Sequence, residues 1–295
     1  MTHIQDAPLV CGTFDQAELD RQYNARGTVV DIWPILDRYR VETERARAAL
    51  PCALGVPYGP TEPERLDIYR PPSADRPAPV FVFVHGGYWR LLDAGDSGFM
   101  APTFAAGGIM TVAVNYALLP TVTLDEAVRQ CRAAIAWVYE NIGAYGGDPG
   151  RIHVCGNSAG GHLGAMLAAD GWHRDFGLPR DVIKGATLIS GLYDLEPVRR
   201  SFVNEWVRLT PQSAAVNSPI RTLPRPDLPV LLSYAPSETA EFKRQTRDYR
   251  LALDRNGNRT AFIAVPGSNH FDIILLMTDP GSPLSEAIVR LFETQ

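Results

Sequence analysis

Short, unbroken apolar runs separated by stretches of helical period organise most of the chain. Val80–Val84 reads VFVFV and Ile109–Asn115 reads IMTVAVN; runs of this length without polar interruption suit strands covered on both faces. Arg151–Cys155, Val182–Ser190, Pro229–Tyr234 and Thr260–Val265 are further runs of strand length, and Arg65–Tyr69 is a short one ahead of them. Between the runs the spacing changes. Leu124, Val128, Cys131, Ile135, Val138 and Ile142 recur every three or four residues, which places them on one face of a predicted helix over 123–142. Glu241–Arg255 and Pro283–Phe292 predict two more helices, and a small-residue helix opens at Ser158. Strands alternating with helices imply an α/β fold, a mostly parallel sheet with crossover helices on both faces.

The flanks read differently. Residues 1–50 predict a polar helical arm packed on the body through Leu19, Tyr23 and the 37–50 run. Pro51–Pro63 and Pro71–Pro79 are rich in proline and glycine and read as loops. Leu192–Pro226 is long and irregular between two strands, so a small helical, cap-like insertion above the sheet is expected there. The whole of 1–295 is read as one domain, large enough to bury a core without disulfide or metal staples.

Composition narrows the function. A net charge of -5, with Lys and Arg scattered, offers no electrostatic reason to bind nucleic acid or an anionic membrane. The first twenty residues lack a basic stretch followed by an apolar one, and no run approaches the roughly 18 apolar residues of a membrane helix. Cys11, Cys52, Cys131 and Cys155 are far apart and lack metal-finger spacing. Cys131 and Cys155 fall in apolar periodic segments and read as buried free thiols. A cytoplasmic location is expected, with no metal and no cofactor.

Gly156-Asn157-Ser158-Ala159-Gly160 carries the chemistry. A G-x-S-x-G between a strand and a small-residue helix is the nucleophile elbow of the α/β-hydrolase fold: the serine sits on a strained turn, so its neighbours two away must lack side chains. The helix that starts there aims its amides at the site, where negative charge would develop. His85-Gly86-Gly87-Tyr88-Trp89 comes directly after the Val80–Val84 strand, and its glycines let backbone amides turn outward. The amides of Gly87, Tyr88 and Ala159 are the candidate oxyanion donors. Tyr88 and Trp89 are candidates for an apolar wall against the substrate and equally for lid or core packing, with Asn157 as a further substrate-binding residue.

A serine hydroxyl needs a base. Of the six histidines, His3 is in the terminal segment, His85 reads as a brace of its loop, His153 lies in a strand, His162 sits behind the serine on its helix, and His173 lies in a polar loop. His270 occupies the loop after the last strand, where the order serine, acid, histidine puts the base. For the acid, two carboxylates come after strands between Ser158 and His270. Glu238 stands at the more usual position, and Asp194 is the alternative.

HGGYW, NSAGGHL at Asn157–Leu163, SGLYDLEP at Ser190–Pro197 and EFKRQ at Glu241–Gln245 resemble kynurenine formamidase (arylformamidase) and its bacterial esterase relatives. The resemblance runs from about Leu19 to His270. It implies an α/β-hydrolase that cleaves a small-acyl amide, of the N-formylkynurenine type, with carboxylesterase activity on short-acyl or aryl esters as the alternative. A non-catalytic binding protein on the same fold is a remote third reading, since serine and histidine are both present. By motif, the nucleophile falls on Ser158 and the histidine on His270. The family's acid is an aspartate a few residues before EFxRQ, which lands on Glu238, so this chain departs from Asp to Glu. The expected partner is a small-molecule amide or ester, and an arm of this kind on a hydrolase body suits a homodimer.

Overall fold

The computed structural model describes residues 9–73 and 76–293; His3 lies outside them. The chain opens with α1 (Gln16–Tyr23) and α2 (Trp33–Ala49), then β1 (Cys52–Pro57), β2 (Arg65–Tyr69) and β3 (Ala78–Val84). Next come α3 (Ala101–Ala106), β4 (Met110–Val114), α4 (Leu124–Asn141), β5 (Gly147–Asn157), α5 (Ala159–Ala168) and β6 (Ile183–Ile189). Three short helices, α6 (Leu195–Arg200), α7 (Asn204–Val207) and α8 (Pro211–Val216), precede β7 (Pro229–Tyr234). The chain closes with α9 (Ala240–Arg255), β8 (Arg259–Ala264) and α10 (Pro283–Glu293).

The eight strands of the described residues form one sheet in the order β1-β2-β4-β3-β5-β6-β7-β8. β1 pairs antiparallel with β2, and β2 antiparallel with β4. Every pair from β4 across to β8 is parallel. Because side chains alternate across a strand, the VFVFV run divides its residues. Val80, Val82 and Val84 enter a cluster with Leu124, Val128, Ile135 and Val138 of α4 and Phe242, Tyr249 and Leu253 of α9. Phe81 and Phe83 enter the opposite cluster, with Tyr39 of α2, Phe104 of α3 and Ile288 and Phe292 of α10. Both faces of the sheet are covered, which is why β3 and β4 carry no polar alternation. Burial falls off outward: β8, at one edge, and β1, at the other, hold only exposed and half-buried positions.

Local signals explain most boundaries. Thr123 caps α4 by accepting from the Glu126 amide, and Asp125 and Glu126 lie in the first turn, where carboxylates complement the helix dipole. Cys131 and Cys155 are buried free thiols whose ionisation burial disfavours. Two elements escape the sequence pattern. Residues 51–63 do not form a loop throughout, since Cys52–Pro57 pairs with β2 as an edge strand. Its register breaks between Ala53 and Val56, around Gly55 at φ +63°, so neither strand alternation nor an apolar run is visible there. α3 is a six-residue helix, too short for its period to stand out. Among the described residues, no helix is long and apolar enough to cross a membrane.

The turn between β5 and α5 is sterically closed. A Cβ on Gly156 would sit 2.1 Å from the Gly160 carbonyl oxygen, and one on Gly160 would sit 2.0 Å from that of Val84. Both obstacles are backbone, so neither can swing aside. We expect Gly156→Ala to destabilise the protein by about 3 kcal/mol or more. Gly143→Ala, whose Cβ would meet nothing within 4 Å, should leave the urea midpoint unchanged or slightly raised. Equal midpoints for the two variants in urea melts would show that the elbow tolerates what the contacts forbid.

Candidate active site

Ser158 sits between β5 and α5 with φ 56° and ψ -119°, a backbone conformation that L-residues avoid. Its amide donates to the Ile189 carbonyl at 2.8 Å, which ties the turn to the end of β6. The helix behind it is buried along its whole length, and its close approach to the sheet is set by glycines: a Cβ on Gly161 would lie 2.9 Å from the Ile189 carbonyl oxygen. The side-chain-free neighbours therefore bring the serine to the sheet's carboxyl edge with the helix N-terminus directly beneath it.

The parallel order places the other candidate residues. β5, β6, β7 and β8 are consecutive neighbours, so the loops leaving their carboxyl ends lie along one edge of the sheet. Those loops carry Ser158 after β5, Ser190 after β6, Glu238 after β7 and His270 after β8. Hydrogen bonds link them. The Ser190 amide donates to the Ser233 carbonyl at 2.8 Å. The Ser190 hydroxyl donates to Glu238 Oε1 at 2.5 Å, and the Ala235 amide donates to the same oxygen at 3.1 Å. Glu238 Oε1 lies 3.5 Å from His270 Nδ1. The three residues are sheltered, with Ser158, Glu238 and His270 exposed by 5%, 4% and 2%.

The Glu238–His270 contact is close enough for strong electrostatic coupling and longer than a hydrogen bond. His270 Nδ1 and Glu238 Oε2 are buried without any hydrogen-bond partner. The oxygen nearest the imidazole is thus Oε1, which Ser190 and the Ala235 amide already hold, and the shelter of the pair keeps water from screening its charge against the ring. Asp194, the alternative acid, is engaged elsewhere: its side chain caps α6 by accepting from the Glu196 amide at 3.2 Å, and its carbonyl accepts from Gln245. The carboxylate facing His270 is Glu238.

The loop after β3 is held in an unusual shape. Gly87 has φ +93°, and a Cβ there would meet the Leu91 carbonyl oxygen at 2.4 Å. Tyr88, Trp89 and Leu92 also have positive φ, at 49°, 58° and 70°. Arg90 and Leu91 donate their amides to the Gly87 carbonyl at 3.0 and 3.1 Å, closing the turn. The amides of Gly87, Tyr88 and Ala159 are bonded to no backbone carbonyl among the described residues. His85 braces the loop through Nδ1 to the Gly86 carbonyl at 3.0 Å and stacks on Tyr116 at 4.3 Å between ring centroids.

The two aromatics of that loop part company. Trp89 does not wall an open site: it is fully buried, and its indole N–H donates to His162 Nδ1 at 3.3 Å. With both Tyr88 and Trp89 in left-handed conformation, the chain turns Trp89 back into the core. Tyr88 is half-buried, and its ring meets Trp206 edge-on at 5.9 Å. The Trp206 indole in turn donates to the Tyr88 carbonyl at 3.1 Å, with the Arg90 guanidinium over its ring at 3.7 Å. Asn157 is buried with its amide nitrogen unpartnered, and its side-chain oxygen lies 3.4 Å from where a Gly86 Cβ would be. Sequence reasoning missed Ser190 and Trp206. Ser190 lies in the SGLYDLEP block, and its φ of 51° shows a second strained strand end beside the first.

The fold and the site together define an α/β-hydrolase of the serine type that cleaves amides or esters. The BD-FAE family model matches residues 66–183. The kynurenine formamidase of Salmo salar is 35% identical over 84% of this chain and 85% of its own. A solved protein of Silicibacter sp. is 28% identical, with a TM-score of 0.80 over 92% of this chain and 98% of that one. A hyperthermophilic esterase of Pyrobaculum calidifontis is 22% identical, with a TM-score of 0.67 over 95% of each chain, a likeness of fold alone. The chain belongs to the kynurenine formamidase family.

Two buried histidines beside the site make stability depend on pH. Burial pushes His85 and His162 down from 6.5 to about 4. As the pH falls from 6.5 towards 4, the unfolded chain takes up a proton at each imidazole that the folded chain refuses. Stability is therefore full above 6.5 and declines below it, by about 1.4 kcal/mol per pH unit for each group. Urea midpoints measured from pH 7 to pH 5 should fall, and His162→Gln should flatten the decline by about one proton's worth. A slope identical in His162→Gln would mean that this imidazole already titrates normally in the fold.

Proposed function

We propose that the chain hydrolyses aryl formamides of the N-formylkynurenine type through an acyl-enzyme on Ser158. The observation that carries this reading is the 35% identity to a kynurenine formamidase over 84% of the chain, on a fold that lines up Ser158, Glu238 and His270 along one sheet edge. In this reading His270 takes the Ser158 proton as the hydroxyl oxygen attacks the formyl carbon. The oxyanion is met by the amides of Gly87, Tyr88 and Ala159, which no backbone carbonyl claims among the described residues. His270 then protonates the leaving amine, and water enters by the reverse route to release formate.

Glu238 stabilises the imidazolium that forms, and Ser190 and the Ala235 amide hold its other contacts. The glutamate is one methylene longer than the family's aspartate. Its Oε1 is anchored by two donors and still lies 3.5 Å from the ring, so the longer side chain reaches the imidazole. A sheltered serine also favours a small acyl group: with Ser158 only 5% exposed, a formyl carbon needs less room than a longer acyl chain.

Purified protein should show a higher kcat/KM on N-formylkynurenine than on 4-nitrophenyl acetate. Fast ester turnover with no formamide turnover would keep the serine chemistry and move the substrate to short-acyl or aryl esters. Ser158→Ala should lower kcat by about 10⁴-fold or more on whichever substrate is used. Glu238→Ala should cost less than Ser158→Ala but far more than Asp194→Ala in folded protein. If Asp194→Ala were the more damaging carboxylate change, the acid would be misassigned.

A further inference from the structure

The N-terminal helix α1 reaches the catalytic edge through its last residue. Tyr23 is fully buried, and its backbone carbonyl accepts a hydrogen bond from the Tyr88 hydroxyl at 2.5 Å. Tyr88 is the residue whose amide is a proposed oxyanion donor and whose backbone is held at positive φ. The Tyr23 phenol is occupied on the other side: it donates to Glu241 Oε2 at 2.8 Å and accepts from Gln245 Nε2 at 3.0 Å. Burial and the neighbouring Glu241 carboxylate hold that phenol well above its ordinary range, so it stays a donor.

The same short stretch reaches residues next to the acid and behind the base. The Gln22 carbonyl accepts from Thr239, the neighbour of Glu238, at 2.6 Å, and Gln22 Oε1 accepts from the Glu241 amide at 3.1 Å. The Tyr23 ring packs edge-on against Phe242 at 6.1 Å, and Phe242 packs against the His270 ring at 4.6 Å. Gln245 completes the junction by accepting from the Tyr193 and Asp194 amides, both at 2.8 Å. One helix end thus meets the oxyanion loop, the acid loop and the residue behind the histidine.

We propose that Tyr23 is a positioning residue for catalysis: its carbonyl, through the Tyr88 hydroxyl, fixes the oxyanion loop relative to the α9 platform that supports Glu238 and His270. This role rests on the serine mechanism of the proposed function. Hydrogen-bond donors for an oxyanion act only where they are aimed, and a displacement of the order of an ångström removes most of their effect. α1 lies outside the strands and loops that carry the reacting groups, so its contribution is alignment between two parts of the site.

The test replaces Tyr88 with Phe, which deletes the hydroxyl and keeps the ring against Trp206. The rate constant for labelling Ser158 with a fluorophosphonate, in which the serine oxygen displaces fluoride, reports the oxyanion geometry whatever the natural substrate is. Labelling and turnover are measured well below the melting transition of each variant. We expect Tyr88→Phe to be labelled about tenfold more slowly or worse, with kcat reduced in step and KM within about twofold. Tyr23→Phe, which frees α1 from Glu241 and Gln245, should slow labelling in the same direction by about threefold or more. Wild-type labelling rates in both folded variants, even with lowered melting temperatures, would reduce the helix to a structural support and overturn the proposal. Wild-type protein that labels at Ser158 but turns over neither formamide nor ester would instead overturn the substrate reading and leave the labelling comparison decisive. Unlabelled wild type would overturn both.

Discussion

Everything at the site hangs on how closely α5 approaches the carboxyl ends of β3 and β5. The Gly160 backbone passes so near the Val84 carbonyl that a methyl group would overlap it, and Gly156 faces Gly160 in the same way. This contact forces Ser158 into a left-handed conformation and places the loop after β3 alongside it. Backbone packed against backbone cannot relax by a rotamer change. The cost of the strained serine, of the order of 1–3 kcal/mol for such a conformation, is met by the buried length of α5 and the sheet on which it lies. Ser158 is thereby held between backbone segments that cannot shift past one another.

From that contact outward, precision is handed along by hydrogen bonds between strand ends. Ser158 is tied to β6 through Ile189, Ser190 to β7 through Ser233, and Glu238 to both Ser190 and Ala235. The carboxylate oxygen nearest the imidazole, Oε1, is thus fixed by two donors, while Oε2 and His270 Nδ1 have no hydrogen-bond partner among the described residues. In the proposed mechanism a carboxylate fixed in this way meets the imidazolium charge without having to move, which is when stabilisation lowers a barrier.

Much of this is legible in the sequence because steric demands leave signatures. Two glycines flanking a serine, and two more after a buried strand, mark places where backbone must pass close to backbone, and the structure supplies the distances. The strand runs are legible because both faces of the sheet are covered, so apolar residues need not alternate with polar ones. The edge strand β1 is not, since exposure and a register break erase the pattern. Trp89 defeats the sequence pattern for a different reason. In a loop with consecutive left-handed residues, neither the period of a strand nor that of a helix says which of two adjacent rings faces the core. Ser190 and the Tyr23 carbonyl leave no signature at all: one is a common residue at a strand end, and the other is a backbone atom that any amino acid would provide.

The loop after β3 shows how such unmarked contacts balance a marked strain. Tyr88, Trp89 and Leu92 all adopt conformations that disfavour side chains, so an isolated loop of this sequence would relax away from them. Three anchors oppose that. The Trp89 ring is fully buried and bonded to His162, whose Nε2 is itself held by the Asn217 carbonyl at 2.7 Å. The Trp89 carbonyl accepts from the Leu119 amide at 2.8 Å. The Tyr88 hydroxyl reaches the end of α1. Burying an indole is worth a few kcal/mol and each hydrogen bond about one more, so the anchors together match the strain of the three residues. Because Trp89 is committed to this task, the aromatic surface that Tyr88 presents is completed from the short helices after β6, by Trp206. The loop's shape and its surroundings are therefore set by segments far apart in the chain, and the motif HGGYW acquires its geometry only when α1, α5 and α7 are all in place.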